Sequence, residues 1–203
     1  MKHQLAMILN ACIALVTFII MLYYFQPKNG VRGWKRGTGT FMYFTIQSNV
    51  FSAIVSFAYL IMNLMGITIP EWFMVLRFVA TVSVALTCLT VIFYLGPLYG
   101  YKSQLTDENI HMHLVGPVMA FITTCFLESD MRLKLWQMLL GLIPTVLYGA
   151  LYIYKVIVRR QWKDFYGFER VDIRKSASLM LLLTRSEERR VGKECRSRWS
   201  PYH

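Results

Sequence analysis

"MYFTIQSNVFSAIVSF", residues 42–57, starts as an apolar run and then sets Thr45, Gln47, Ser48 and Asn49 almost side by side. The run lies in an uncharged segment, 41–65, long enough to cross a bilayer as a helix, which takes about 20 apolar residues. On a helix Thr45, Ser48, Asn49, Ser52 and Ser56 share one face, and Gln47 points off it. The three serines read as a small-xxx-small ridge that admits a close neighbour helix. Thr45 and Asn49 fit that use less well. An amide is costly in hydrocarbon, and inward-facing polar residues within a span mark function.

The whole chain agrees with a membrane reading. It has 203 residues, is 56% hydrophobic and has a mean hydropathy of +0.42, whereas soluble domains sit at about 45–50% apolar. Further apolar stretches cover 5–25, 72–95, 112–127 and 135–154, and a sixth starts at 176–183 but stops short of span length. The runs are continuous rather than alternating, which favours helices over a membrane barrel. The expected fold is therefore all-α: a polytopic membrane helical bundle of five complete spans and a truncated sixth, forming one domain over 1–184. The start, "MKHQLAMILNAC", faintly echoes a lipoprotein leader. Asn10 and the continuation to Phe25 read instead as a retained span. Arg77 is the one charge in 72–95 and, close to the end of the span, is expected to snorkel.

Residues 185–203, "RSEERRVGKECRSRWSPYH", resemble residue for residue the conceptual translation of a common sequencing adapter, and they are set aside. Without them the net charge falls from +11 to +8. Cys12, Cys88 and Cys125 then stand alone in separate segments. That pattern supports neither a disulfide framework nor a zinc pair, and no metal or cofactor is expected.

Lys and Arg set the expected orientation. The first, third and fifth loops carry twelve, against three on the other side (Lys2, Arg132 and Lys134). These loops are placed in the cytoplasm and the N-terminus outside, in a multi-pass cell-membrane protein. The bases are spread over loops and form no nucleic-acid module, so lipid headgroups are the expected partners.

A second polar site lies in "DENIHMHLVGP", 107–117. His111 and His113 are two residues apart and point roughly opposite ways on a helix, so only one faces the interior. Pro117 has no N–H for the carbonyl of residue 113, which predicts a kink beside His113 and a free carbonyl there. Thr45 is expected about one turn into its span, and His113 at the start of the fourth, at similar depth near the cytoplasmic interface. A hydroxyl and an imidazole are the minimum for nucleophilic acyl chemistry, the imidazole taking the proton while Thr45 attacks a carbonyl. Backbone N–H groups inside a helix are already used, so the oxyanion donor is sought among side chains: Asn49 first, Ser48 second. Asp107, Glu108 and Asp164 lie on the same side, and none is singled out to orient the imidazole.

"YFTIQSNVF" at 43–51, "NIHMHLVGP" at 109–117 and "DFYGF" at 164–168 resemble the androgen-induced and androgen-dependent membrane threonine hydrolases and their bacterial six-span relatives, the Pr-six-Pr family. "DFYGF" departs most, with Gly where an aromatic–Pro pattern is usual. The resemblance covers most of 1–184. It implies Thr45 as nucleophile, His113 as base, and fatty acid esters of hydroxy fatty acids or similar lipid esters as substrates. An acyltransferase using the same acyl-enzyme is a close variant. The competing expectation is a non-catalytic bundle, receptor or transporter subunit in which Thr45, Ser48 and Asn49 bind helices together.

Overall fold

The computed structural model describes residues 2–128 and 133–166, and among them the chain is helical with no strand. The expected sixth span, the 185–203 tail, Arg132 and residues 167–168 of the third motif lie outside the described residues. The first compact unit runs to Ile153; the second opens with the turn Tyr154–Val158.

Five helices are long and apolar enough to cross a membrane: α1 (Lys2–Tyr24), α3 (Phe44–Leu64), α4 (Glu71–Tyr99), α5 (Glu108–Leu127) and α6 (Leu135–Val158). A short helix, α2 (Gly33–Thr40), occupies the first loop and was not foreseen. Its glycines let it fold back on α1: a Cβ on Gly33 would run into the Phe25 carbonyl, and one on Gly37 into the Phe25 ring. In the first unit α1, α3, α4 and α5 form a ring, each packed on two neighbours. The start of α6 lies on α4, where a Cβ on Gly141 would already sit 3.2 Å from Phe78 and Val82.

The distribution of side chains is inverted relative to a water-soluble bundle. The outer surface carries Leu15, Phe18, Ile54, Phe57, Phe93 and Val146, all more than half exposed. The interior holds Asn10, Thr17, Asn49, Arg77, Thr87 and Thr123, each at most 4% exposed. Such a surface suits hydrocarbon, and such an interior is the only place there for polar groups. Apolar contacts fill the gaps in three layers along the ring. Ile20, Tyr24, Ile46 and Met112 form one end; Val55, Tyr59, Phe73 and Ala80 form the other. Ile13, Val84 and Ala120 lie between them.

Two Gly-Pro steps shape the spans. In α4 the turn Val91–Leu95 is π-helical, with Gly96 N–H donating to the Val91 carbonyl. In α5 the turn His111–Val115 is also π-helical, with Gly116 N–H donating to the His111 carbonyl. The next bond of that register would come from Pro97 or Pro117, and neither has a hydrogen to give. The carbonyls left over are those of Ile92 and Met112. Each is capped by a side chain from elsewhere: Tyr101 Oη donates to Ile92 O at 2.9 Å, and Asn49 Nδ2 to Met112 O at 2.8 Å. The proline therefore shifts the register instead of ending the helix, so α4 continues to Tyr99, beyond the expected 95. The expected free carbonyl beside His113 is instead that of Met112, and it is bonded.

Arg77 does not snorkel. It lies on the buried α4 face with Phe73, Ala80, Thr81 and Val84, and is 3% exposed. Its Nη2 pairs with Glu128, its Nη1 donates to Asn10 Oδ1 at 3.3 Å, and its guanidinium lies 3.9 Å from the Tyr59 ring centroid. Asn10 Nδ2 donates to Glu128 Oε1 at 3.2 Å. Four helices thus meet on one buried cation. Removing one partner of a buried pair costs about 3–5 kcal/mol, whereas replacing both with apolar residues is often neutral. Glu128→Gln is expected to lower the melting temperature of the purified protein sharply, and Arg77→Met/Glu128→Leu to recover most of the loss. A double variant no more stable than the single one would contradict this account of the pair.

Candidate active site

Thr45, Asn49 and the His111–His113 turn meet at one end of the ring. Thr45 falls in the first turn of α3, which starts at Phe44 rather than at the expected 41. The three residues before it are a turn that closes α2, and two side chains hold that turn. Gln47 Nε2 donates to Phe41 O at 2.7 Å, and Tyr148 Oη from α6 donates to Met42 O, also at 2.7 Å. The Tyr148 and Phe44 rings pack at a tilt of 41°, with centroids 5.1 Å apart. Gln47, unexplained in the sequence, thus anchors the entry to α3. First-turn N–H groups lack intrahelical acceptors. Ile46 and Gln47 N–H both bond the Tyr43 carbonyl, at 3.2 and 3.3 Å, but among the described residues the Thr45 N–H bonds no backbone carbonyl, so there the premise that backbone donors are used up does not hold.

Asn49 is the centre of the site. Its amide nitrogen donates to Thr45 O on its own helix at 2.8 Å and to Met112 O on α5 at 2.8 Å. Both partners are carbonyls, so the amide orientation is fixed, and both of its hydrogens are engaged. What Asn49 presents to the site is the acceptor Oδ1. Its neighbour Ser48 also bonds back by one turn: Oγ donates to Thr45 O at 3.1 Å and lies 3.1 Å from Thr87 Oγ1 of α4. Ser48 therefore serves the packing ridge expected of it and also bonds across it.

The two histidines sit differently. His113 is half-buried, and its Nδ1 lies 2.7 Å from the Gln104 carbonyl. A carbonyl only accepts, so Nδ1 carries the proton and the neutral ring keeps its lone pair on Nε2. The orienting group is thus a backbone oxygen in the loop before α5, which no acidic residue in the sequence could have announced. His111 is buried, and its Nε2 has no partner. A Cβ on Gly116 would stand 3.4 Å from that nitrogen, 3.2 Å from Asn49 Oδ1 and 3.0 Å from the His111 carbonyl. Gly116 lets α5 approach α3 closely enough for the Asn49 bond to form. Among the described residues no hydrogen bond joins Thr45 to either histidine.

Beside Ser48 a groove of about 330 Å³ opens between α3, α4 and α6. Phe44 and Phe51 line one wall, Leu147 and Leu151 the other, and Ser48 and Ser83 contribute hydroxyls. Among the described residues no three His, Cys, Asp or Glu side chains gather where they would hold a metal ion.

Compared with protein-family models, curated proteins and solved structures, the chain matches none.

Crowding at Gly116 is directly testable. Overpacking of this kind costs about 1–3 kcal/mol. Gly116→Ala is expected to lower the melting temperature, while Gly149→Ala on α6, where a Cβ meets nothing within 4 Å, raises it or leaves it unchanged. Equal responses at the two positions would contradict the close approach at Gly116.

Proposed function

We propose that the chain is an intramembrane lipid ester hydrolase with Thr45 as nucleophile and His113 as general base. The observation that carries this reading is the His113 ring. Its Nδ1 is tied to the Gln104 carbonyl, which leaves Nε2 as a proton acceptor at the end of the bundle where Thr45 opens α3. In the reaction Thr45 Oγ1 attacks the ester carbonyl carbon and its proton passes to His113 Nε2. The Thr45 N–H, in the first turn of α3, is the backbone donor toward the oxyanion. Collapse breaks the ester bond, and the leaving alcohol takes the proton from Nε2. Water, deprotonated by the same nitrogen, then attacks acyl-Thr45; the acyl–Oγ1 bond breaks, Oγ1 takes the proton back from Nε2, and the carboxylic acid leaves. Asn49 holds the two helices in register and is not assigned the oxyanion.

The resemblance to the threonine hydrolases points to fatty acid esters of hydroxy fatty acids or similar lipids. The groove beside Ser48 has the size and lining for one acyl chain. The excess of Lys and Arg in the odd-numbered loops supports a reaction near the cytoplasmic leaflet. A second reading, a non-catalytic bundle, draws on the use of both Asn49 hydrogens and the Ser48 hydroxyl in helix packing. In an unliganded site catalytic hydrogen bonds are often not yet formed, so the open Thr45–His113 pair fits either reading.

An activated lipid phosphonate separates the two. The hydrolase reading expects an adduct at Thr45, none in Thr45→Ala, and labelling slowed roughly 10²–10⁴-fold in His113→Ala. A folded protein that never labels would leave the non-catalytic bundle standing.

A further inference from the structure

A second polar space lies inside the ring, beside Arg77. It is lined by Asn10 of α1, Ser52 and Ser56 of α3, Arg77 and Thr81 of α4, and Thr124 of α5. It offers about 10 Å³ to the centre of a water-sized sphere, close to the roughly 10–15 Å³ that one water needs on that measure. Arg77, 3% exposed, is one of its lining residues, and its Nε–H has no partner although both Nη groups are engaged. A buried guanidinium N–H without an acceptor is rare in native proteins and calls for one.

We propose that this chamber is a binding site for a single resident water, held by Arg77 Nε–H and the surrounding hydroxyls. Water alone fits the size and both hydrogen-bonding senses. It accepts from Nε–H and donates to Ser52, Ser56 or Thr124, which completes the two to four partners an internal water takes. An anion would face the Glu128 carboxylate, already paired to the same guanidinium. An apolar guest would leave Nε unsatisfied.

The site is independent of the hydrolase reading.

The test is a structure of the full chain in lipid at a resolution that shows other internal waters. Density for one water within roughly 2.7–3.2 Å of Arg77 Nε is the expected result. An empty chamber, or density too large for water, would overturn the proposal. Ser56→Ala and Ser56→Val provide a second readout. Ala keeps the water, whereas Val displaces it and strands Nε, so the Val variant is expected to melt several degrees below the Ala variant. A Val variant that melts at or above it would show a dry space being filled and overturn the proposal. If the Val variant does not fold, the structure of the unaltered protein decides alone.

Discussion

One hydrogen bond, from the Asn49 amide to the Met112 carbonyl, organises the Thr45 end of this bundle. It exists because Pro117 has no N–H and because hydrocarbon provides no water to take its place. A helix containing Gly-Pro in a membrane has to find a donor for the carbonyl it strands. In α4 the donor is the nearby Tyr101 hydroxyl. In α5 it comes from another helix, so the repair of a backbone defect becomes a tie between spans. The same amide holds the Thr45 carbonyl, and Gly116 supplies the room. Nucleophile and base candidates are thereby brought to one end of the ring by a residue that itself has no hydrogen left to donate.

The two ends of the ring solve the burial of polar groups in opposite ways. At the Glu128 end charge meets charge, with Asn10 and the Tyr59 ring completing the shell around Arg77. At the Thr45 end neutral groups meet backbone, and imidazole nitrogens and a carbonyl-like acceptor remain available. One end is a charged tie that holds four helices together with one guanidinium N–H left over, and the other is a neutral end with spare acceptors.

The spans were legible because continuous apolar runs of this length have one reading, and the polar face of 42–57 was legible because a helix repeats every 3.6 residues. Their boundaries were less so. Residues 41–43 are as apolar as a span but belong to a turn, and that turn is held by Gln47 and by Tyr148 of α6, a contact across 106 residues. Arg77 looked like a snorkelling residue because its partner, Glu128, lies 51 residues away and beyond the apolar run that marks α5. The orientation of His113 was hidden for another reason: its partner is a main-chain carbonyl, which every residue has and no sequence letter marks. The repeated Gly-Pro steps at 96–97 and 116–117 were the available signal for the π-helical turns at 91–95 and 111–115, since both place a missing N–H within a span; those at Thr123–Leu127 and Tyr154–Val158 have no such mark.

The dependence of the site on a missing hydrogen is open to a double-mutant cycle in Asn49→Ala and Pro117→Ala, read by thermal or denaturant unfolding. If the amide stands in for the absent N–H, Asn49→Ala strands a buried carbonyl and costs about 1–3 kcal/mol when Pro117 is present. With alanine at 117 the backbone can serve Met112 O itself, and the cost of Asn49→Ala falls well below that value. Strictly additive effects of the two substitutions would contradict the account.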